Sequence, residues 1–398
     1  MTADKDVQKE ELIRVFIERY LPREEIIHRL PLCLPISQFW PELTVSRKQL
    51  STELPLKDEN SSPFWFVLNK TIEEQCDAIA AFSRRDHLLT GPVFDVMAEE
   101  AVLDEAVFSS IIEGAFTSRK EASVLIHGNK EPKSKSEQMV RNNYDALTYV
   151  LEHLEEPVTD KTIIQMARII TRNAAEVQVD GYRKNQVYVN SQNGPVYTPP
   201  KAAAVPDMMQ QLIDFIQTSP LHPVLKACAA HFYFVYIHPF EDGNGRTART
   251  LSFMMLIQSG YDFFRYFSIS DIVAKEHGKY YRSMRNVEES GGDMTYFIDC
   301  YSSMLGRAVE KMEEYLRLHV FADQKLAHLE KTGKLNERQM KGAKWLLQSG
   351  QTQITVEGWK KKFKTATETA RRDLFVLCDQ KLLTRSMEGK KAVFYINK

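Results

Sequence analysis

A short segment near the middle of the chain concentrates side chains of several chemical types. From Ile237 to Arg249 the sequence reads IHPFEDGNGRTAR, which holds one histidine, two acidic residues, one asparagine and two arginines. Buried charges are costly unless they are paired or bound to a ligand. An ordinary helix–helix loop with surface charges is therefore the less favoured interpretation, and the mixture of groups indicates a site that handles phosphate.

The backbone of this segment predicts an anion-binding cradle. Asp242, Gly243, Asn244 and Gly245 form a tight turn at the start of a predicted helix. Glycines allow backbone N–H groups to face one concavity, and the helix N-terminus adds positive potential. The turn is not a P-loop, because no Gly-Lys-Ser/Thr sequence follows it.

The side chains around the cradle suggest separate tasks. Arg246 and Arg249 are three residues apart and share a helix face, where two guanidinium groups suit a di- or triphosphate. Asp242 suits Mg²⁺, which commonly takes one carboxylate plus phosphate oxygens. His238 stands just before the loop, placed to accept a proton from an attacking hydroxyl. A zinc site is the alternative, but His231 lies about 10 Å from His238 along the helix axis, too far to chelate the same ion.

Two central helices must hold this turn. The run from Pro223 to Ile237 is apolar on nearly all sides, which is typical of a buried helix. The second helix is predicted from Thr247 to Ser259 and ends at Gly260. Prolines between Pro31 and Pro41 predict a loop or short strand there. Further helices are predicted over Glu10–Tyr20, Thr71–Ser83, Pro92–Glu113, Met209–Ile216, Ile272–Asn286 and Met294 to about Leu318, and after caps at Ser118, Ser134 and Thr159.

A hairpin is predicted within this helical region. Val187–Asn190 and Pro195–Tyr197 favour strands, and Asn193-Gly194 between them is a strong turn signal. The hairpin could flank the site and offer an exposed edge to an incoming peptide. A simple surface excursion is the alternative.

The long helix that ends before Gly114 places Ser109 and Glu113 in its last turns. An acidic side chain there faces the negative end of the helix dipole, which is unfavourable. We therefore expect Glu113 either to have a cationic partner elsewhere in the fold or to be solvated.

Composition narrows the class of protein. The 398 residues carry a formal net charge of −1 and five cysteines, scattered and without a CxxC pair, so neither a zinc site nor a disulfide framework is indicated. No transmembrane run occurs, and the charged N-terminus lacks an apolar signal core. We expect a cytoplasmic protein with no membrane partner.

The last 68 residues form a separate basic module. Residues 331–398 hold 16 lysines and arginines against 6 acidic residues. Their predicted order of three helices and a hairpin is the winged helix-turn-helix pattern. The predicted recognition helix carries Lys364, Thr365, Thr367, Arg371 and Arg372. DNA binding is one interpretation, and protein contact or homodimer formation is the other. The expected organisation is an accessory segment 1–90, a catalytic domain 91–320 and this module.

The central segment resembles a known family. His238-Pro239-Phe240-x-Asp242-Gly243-Asn244-Gly245-Arg246-x-x-Arg249 is similar to the complete signature of Fic-domain proteins, HPFx(D/E)GNGRxxR. The resemblance extends from about Pro92 to about Leu318, and the predicted hairpin resembles the family's flap. Ser109-x-x-x-Glu113-Gly114 resembles the family's inhibitory motif. The resemblance implies a mainly α fold: a Fic-type helical core with a β-hairpin flap, followed here by the winged helix-turn-helix.

It also implies a reaction and residue roles. The family transfers AMP from ATP to a Ser, Thr or Tyr hydroxyl of a protein and releases pyrophosphate. His238 would be the general base, Asp242 would hold Mg²⁺, and Gly243, Asn244 and Gly245 would form the anion hole. Arg246 would bind phosphates, and Arg249 would hold the γ-phosphate unless Glu113 pairs with it.

The nucleotide-base region departs from the family pattern. Tyr280-Tyr281 is present, and Tyr281 is expected to contact the nucleotide. Family members often place an asparagine beyond this pair, where the present sequence reads Val287-Glu288-Glu289-Ser290 with extra length. Transfer from another nucleotide donor by the same site is therefore an alternative. The resemblance also implies that Glu113 could position a water for removal of AMP, which is a further alternative. A DNA-binding regulator that uses the Fic core as a sensor is another.

Overall fold

The chain divides into two compact units, Met1–Val309 and Glu310–Lys398. The computed structural model describes residues 2–85, 89–90, 92–191, 194–317, 321–348, 353–388 and 391–397. Within these residues, no helix combines the length and apolar character needed to cross a membrane. The domain boundaries expected from the sequence remain predictions.

Helices dominate the described residues, as predicted. The helices that begin in the first unit are α1 (Thr2–Arg19), α2 (Arg23–Ile27), α3 (Ile36–Gln49), α4 (Lys70–Ser83), α5 (Pro92–Ile112), α6 (Arg119–Ile126), α7 (Lys135–Glu152), α8 (Asp160–Thr171), α9 (Val205–Thr218), α10 (Pro223–Ile237), α11 (Asn244–Gln258), α12 (Ile269–Lys275), α13 (His277–Glu289) and α14 (Thr295–Tyr315). Those of the second unit are α15 (Phe321–Thr332), α16 (Glu337–Gln348), α17 (Val356–Phe363) and α18 (Thr367–Asp379).

Three small sheets accompany the helices. Antiparallel strands β1 (Thr52–Lys57) and β2 (Pro63–Phe66) form one hairpin, and β3 (Val189–Ser191) and β4 (Gly194–Tyr197) form the second. The second is the predicted hairpin, although its turn residue Asn193 lies outside the described residues. In the second unit, β5 (Gln353–Thr355), β6 (Leu383–Glu388) and β7 (Lys391–Ile396) form a sheet with the order β5-β7-β6.

Helices α10 and α11 form the centre of the first unit. Most residues of α10 are buried, as the apolar run predicted, and nearly all residues of α11 are buried. The turn between them, from His238 to Gly243, is therefore held by two helices that have little freedom to move. This arrangement fixes the signature residues on a rigid base.

Several predicted boundaries were wrong. Helix α11 begins at Asn244 and not at Thr247, because Gly243 adopts φ +82° and caps the helix three residues earlier. The predicted helix Ile272–Asn286 is split into α12 and α13 at Glu276. The stretch after Pro35 is helical, and Pro41 is the sixth residue of α3, where the helix buries Phe39 and Leu43 in spite of the backbone hydrogen bond that a proline removes. Strands β1, β2 and β5 were not predicted.

A buried polar network joins the N-terminal helices to the start of α14. The Tyr20 hydroxyl donates to Asp293 Oδ2 at 2.9 Å, and the Thr295 N–H donates to Asp293 Oδ1 at 3.1 Å. Arg47, which is 1% exposed, donates to the Tyr296 hydroxyl and to two backbone carbonyls. Burial raises the pKa of Asp293 to about 6. The accessory segment is therefore built into the first unit.

The second unit has its own core. Trp359, Leu374 and Phe394 are fully buried within it. The Asp373 carboxylate is also buried and accepts hydrogen bonds from Arg338 at 2.7 Å and from the Trp359 indole at 3.2 Å. The predicted order of helices and hairpin is present in this unit, and its assignment as a winged helix remains a prediction.

Candidate active site

His238 occupies the C-terminal cap of α10 in a left-handed conformation, with φ +51° and ψ +59°. Its Nδ1 lies 3.4 Å from the carbonyl oxygen of Val235. With the proton assigned to Nδ1 for this contact, Nε2 is left with a free lone pair. Burial lowers the pKa of His238 to about 4. The imidazole is consequently neutral near pH 7 and able to accept a proton.

The glycine turn is closed by its own asparagine. Asn244 Oδ1 accepts from the Phe240 N–H at 2.9 Å, and Asn244 Nδ2 donates to the Phe240 carbonyl at 2.8 Å. A Cβ at Gly243 would lie 2.9 Å from Thr171 Cγ2, and the residue has a positive φ, so both space and backbone favour glycine. The Asn244 side chain therefore shapes the turn, which leaves the backbone N–H groups as the candidate anion donors.

Asp242 and Arg246 form a pair at the edge of the turn. Asp242 Oδ1 accepts from the Gly243 N–H at 2.5 Å and from Arg246 Nη2 at 3.2 Å. Arg246 Nη1 donates to the Ile170 carbonyl at 3.1 Å. The Arg246 side chain is buried and does not line the cleft described below, whereas the side chain of Asp242 is 44% exposed. Arg246 thus supports Asp242 directly.

The Asp242 carboxylate suits a metal ion that takes most of its ligands from phosphate and water. The described residues contain no group of three or more His, Cys, Asp or Glu side chains that could enclose an ion. Mg²⁺ is usually held by one or two carboxylates together with phosphate oxygens and water. A single half-exposed carboxylate beside an anion-binding turn matches that requirement.

Glu113 and Arg249, which are 136 residues apart in the sequence, form a salt bridge. Arg249 Nη2 donates to Glu113 Oε1 at 2.8 Å and to the Ser109 carbonyl at 2.9 Å, and Arg249 Nε donates to Ser109 Oγ at 2.8 Å. Arg249 is 3% exposed, and its Nη1 is buried without a hydrogen-bond partner among the described residues. A Cβ placed on Gly245 would lie only 2.2 Å from Glu113 Oε1. Glu113 therefore covers the first turn of α11.

One cleft brings five of the predicted site residues together, and it is not lined by Ser109, Asp242, Gly243, Asn244 or Arg246. His238, Gly245, Arg249 and Glu113 meet Tyr281 of α13 there. The remaining lining residues are Val189, Tyr197, Val235, Tyr236, Tyr280, Met284, Arg285 and Glu288. Val189 and Tyr197 belong to the predicted hairpin, and Tyr280 and Glu288 to the expected nucleotide-base region. The other four were not anticipated, because they stand at positions that carry no motif of their own.

A chain with this helical fold, an anion-binding turn and a neutral histidine at the end of a buried helix has the architecture of a Fic domain. A family model described as the Fic/DOC family matches residues 157–256. Residues 157–256 therefore form a region that matches this family.

Curated relatives agree with this assignment over part of the chain. Protein adenylyltransferase Fic of Drosophila willistoni is 33% identical over 156 residues, which cover 37% of this chain and 28% of the relative. The protein of the same name from Drosophila melanogaster is 31% identical over 167 residues, covering 40% and 32%. The chain thus spans less than a third of the length of these relatives.

Solved structures have the same fold. A Fic family protein from Desulfovibrio desulfuricans superposes with a TM-score of 0.54 and 18% identity, covering 83% of this chain and 98% of that one. Fic-1 from C. elegans gives a TM-score of 0.50 with 21% identity, covering 61% and 70%. These similarities establish the fold alone.

Proposed function

We propose that this protein is an autoinhibited adenylyltransferase that moves AMP from ATP to a Ser, Thr or Tyr hydroxyl of a protein. The observation that carries the proposal is a single cleft lined by a neutral His238, by Gly245 of the glycine turn and by Arg249, whose guanidinium group is held by Glu113. The names of the relatives that match the central region support the same activity.

The reaction needs one proton acceptor and a well-held donor phosphate. The target hydroxyl oxygen attacks the α-phosphorus of ATP, and a new P–O bond forms. The hydroxyl proton passes to His238 Nε2, the atom left free by the contact of Nδ1 with Val235. The bond from the α-phosphorus to the α–β bridging oxygen breaks, and pyrophosphate leaves.

The turn supplies the anion contacts. Backbone N–H groups of Asn244 and Gly245, at the positive end of α11, bind phosphate oxygens without any charged side chain. The Gly243 N–H joins them when it is released from Asp242 Oδ1. Asp242 would hold Mg²⁺ when it is bound, and the ion would neutralise charge on the departing pyrophosphate. Arg246 acts with Asp242, since the two side chains are hydrogen-bonded and Arg246 lies outside the cleft lining.

Autoinhibition follows from competition for one guanidinium group. Carboxylates and phosphates bind the same planar donor fork of arginine. Glu113 occupies Arg249 Nη2, so a γ-phosphate that needs this donor must displace Glu113. In the proposed resting state, ATP enters the cleft in a non-productive orientation. Glu113 could also orient a water for removal of AMP, which keeps the reverse reaction as the alternative.

The decisive experiment compares Glu113→Gly with the wild-type protein. Each is incubated with labelled ATP, CTP, GTP and UTP in a native lysate, and transfer to itself and to other proteins is measured. Release of Arg249 should raise labelling from ATP at least tenfold. An unchanged level would refute the inhibitory role, and preferential labelling from another nucleotide would replace ATP as the donor.

A second substitution isolates the base. His238→Ala in the Glu113→Gly background should abolish transfer, while ATP binding measured by calorimetry persists. Transfer that survives in this double variant would remove His238 from the mechanism.

The second unit supports a separate proposal. We propose that it is a winged helix that binds DNA through α18, where Arg371 and Arg372 are exposed. Protein contact or dimerisation through the same unit is the competing outcome, and a salt-dependence experiment distinguishes the two below.

A further inference from the structure

Arg183 lies next to the candidate active site but outside the cleft. It belongs to the segment Gly181–Gln186 that leads into β3, and it is 4% exposed. No carboxylate contacts its guanidinium group within the described part of the chain. A buried cation without an anionic partner is costly. The hydrogen bonds of the Arg183 side chain must therefore offset the cost of burying its charge.

All of the acceptors of Arg183 are backbone carbonyls. Its Nε donates to the His238 carbonyl at 2.8 Å, and its Nη2 donates to the Ile237 carbonyl at 3.3 Å. The same side chain donates to the carbonyls of Asn185 and Pro200, which stand before and after the hairpin β3–β4. One guanidinium group therefore joins the end of α10 to both ends of the hairpin.

The contacts satisfy the end of a helix whose carbonyls would otherwise lack partners. The last carbonyls of a helix have no intrahelical donor, and a cation there is favoured by the helix dipole. Besides the two bonds above, the Arg183 backbone N–H donates to the Pro239 carbonyl at 2.8 Å, and the Tyr197 hydroxyl of β4 donates to the Tyr236 carbonyl at 2.6 Å. The hairpin segment thus provides the cap for α10.

We infer that Arg183 is a positioning residue for the transfer reaction, because it holds the left-handed backbone of His238 and fixes the hairpin to it. This inference rests on the proposed role of His238 as the base. A left-handed conformation is unfavourable for a residue with a side chain, so it persists only while surrounding contacts impose it. Loss of the Arg183 fork would let the His238 backbone relax and move Nε2 away from the attacking hydroxyl.

The first test measures transfer in the Glu113→Gly background. Arg183→Lys keeps the charge but cannot reach carbonyls on two segments at once, and Arg183→Met removes the donors. We expect kcat to fall about 100-fold, the effect of a misplacement near 1 Å. ATP affinity should change little, because Arg183 does not itself line the cleft and reaches it only through the His238 backbone. Arg168→Met is the matched control, because Arg168 donates to the carbonyls of Val179 and Asp180 without touching His238.

The second test does not depend on activity. The ¹⁵N resonances of the His238 imidazole report its tautomer and its titration, which the charges of Arg183, Glu113 and Asp242 influence. In Arg183→Met, loss of a neighbouring positive charge should raise the pKa of His238, and the Nδ1-protonated tautomer should lose its dominance. Arg168→Met should leave both unchanged. Thermal unfolding confirms that each variant is folded. If Arg183→Met is not, Arg183→Lys replaces it, and the change of tautomer is then the readout because the positive charge is kept.

Unaltered His238 resonances in a folded Arg183 variant would overturn the inference, and so would an equal loss of kcat in Arg168→Met. If the Glu113→Gly protein transfers no nucleotide at all, the proposed function fails, while the imidazole measurements still decide the role of Arg183.

Discussion

His231 and His238 show how two histidines on one buried helix have different uses. The His231 Nε2 lies 2.7 Å from the Tyr280 hydroxyl, and its Nδ1 has no partner among the described residues. Burial lowers the pKa of His231 to about 3 and that of His238 to about 4. Both are therefore neutral in the folded protein at pH 7. His231 lies outside the cleft lining, whereas His238 is part of it.

The lowered pKa of His231 predicts that the folded protein loses stability in acid and that His231→Gln reduces this loss. The ordinary pKa of histidine, 6.5, lies above both folded-state values, so the unfolded chain binds protons that the folded chain does not as the pH falls below about 6.5. The free energy of unfolding of the wild-type protein should therefore drop relative to His231→Gln, by up to about 1.4 kcal/mol for each pH unit between 6 and 4.

Urea unfolding at several pH values measures this difference. Taking the difference between the two proteins removes the opposite contribution of Asp293, whose raised pKa lets the folded state take up a proton first. Parallel pH dependences in the two proteins would contradict the prediction.

At the scale of elements, α11 and the residue that follows α5 approach each other most closely at Gly245, where there is no room for a larger side chain beside Glu113. Gly245 is in the first turn of α11, and alanine favours a helix over glycine by about 1 kcal/mol. Its added methyl group, however, would stand 2.2 Å from Glu113 Oε1 and 3.3 Å from Arg249 Nη1. Glu113 can move aside only by giving up its hydrogen bond to Arg249.

Gly245→Ala should therefore have opposite effects in two backgrounds. In the wild-type protein it should lower Tm, because the methyl group disrupts the pair of Glu113 and Arg249. In Glu113→Gly the obstacle is absent, and the same change should leave Tm unchanged or raise it. Calorimetric scans of the four proteins give this comparison, and an equal shift in both backgrounds would show that Glu113 does not rest on Gly245.

The sequence predicted these elements to different degrees. The apolar run of α10 and the caps at Ser118 and Thr159 identified helices correctly, because their signals are local. The hydrogen bonds from Arg249 to Ser109 and Glu113 could be anticipated only through the family motif, since 136 residues separate Arg249 from Glu113. Arg183 gave no signal, because its acceptors are backbone carbonyls that any sequence possesses.

At the scale of the whole molecule, the uneven charge of the chain favours a nucleic-acid partner for the second unit. Residues 331–398 have more basic than acidic residues, whereas the residues before them have more acidic than basic residues. Each phosphate that such a unit neutralises releases counterions, which makes binding strongly dependent on salt.

We expect the 398-residue chain to bind duplex DNA with an affinity that falls steeply between about 50 and 200 mM salt. Replacing both Arg371 and Arg372 by glutamate should weaken binding and flatten the slope. Lys341→Glu, on α16 beside Glu337, is the control and should have a smaller effect. Absence of binding at the lowest salt, together with a change in oligomeric state, would favour protein contact instead.

The buried contacts of the N-terminal segment determine how this protein can be shortened in the laboratory. An expression fragment that starts at residue 91 would lose Tyr20 and Arg47 and leave the Asp293 carboxylate in an apolar interior without its hydroxyl donor. It would also lose Trp65, whose backbone exchanges hydrogen bonds with Gly292 and Met294 just beyond α13. A fragment limited to the matched region 157–256 would lack both sides of these contacts. A truncation that removes the second unit is better made beyond Tyr315, where α14 ends.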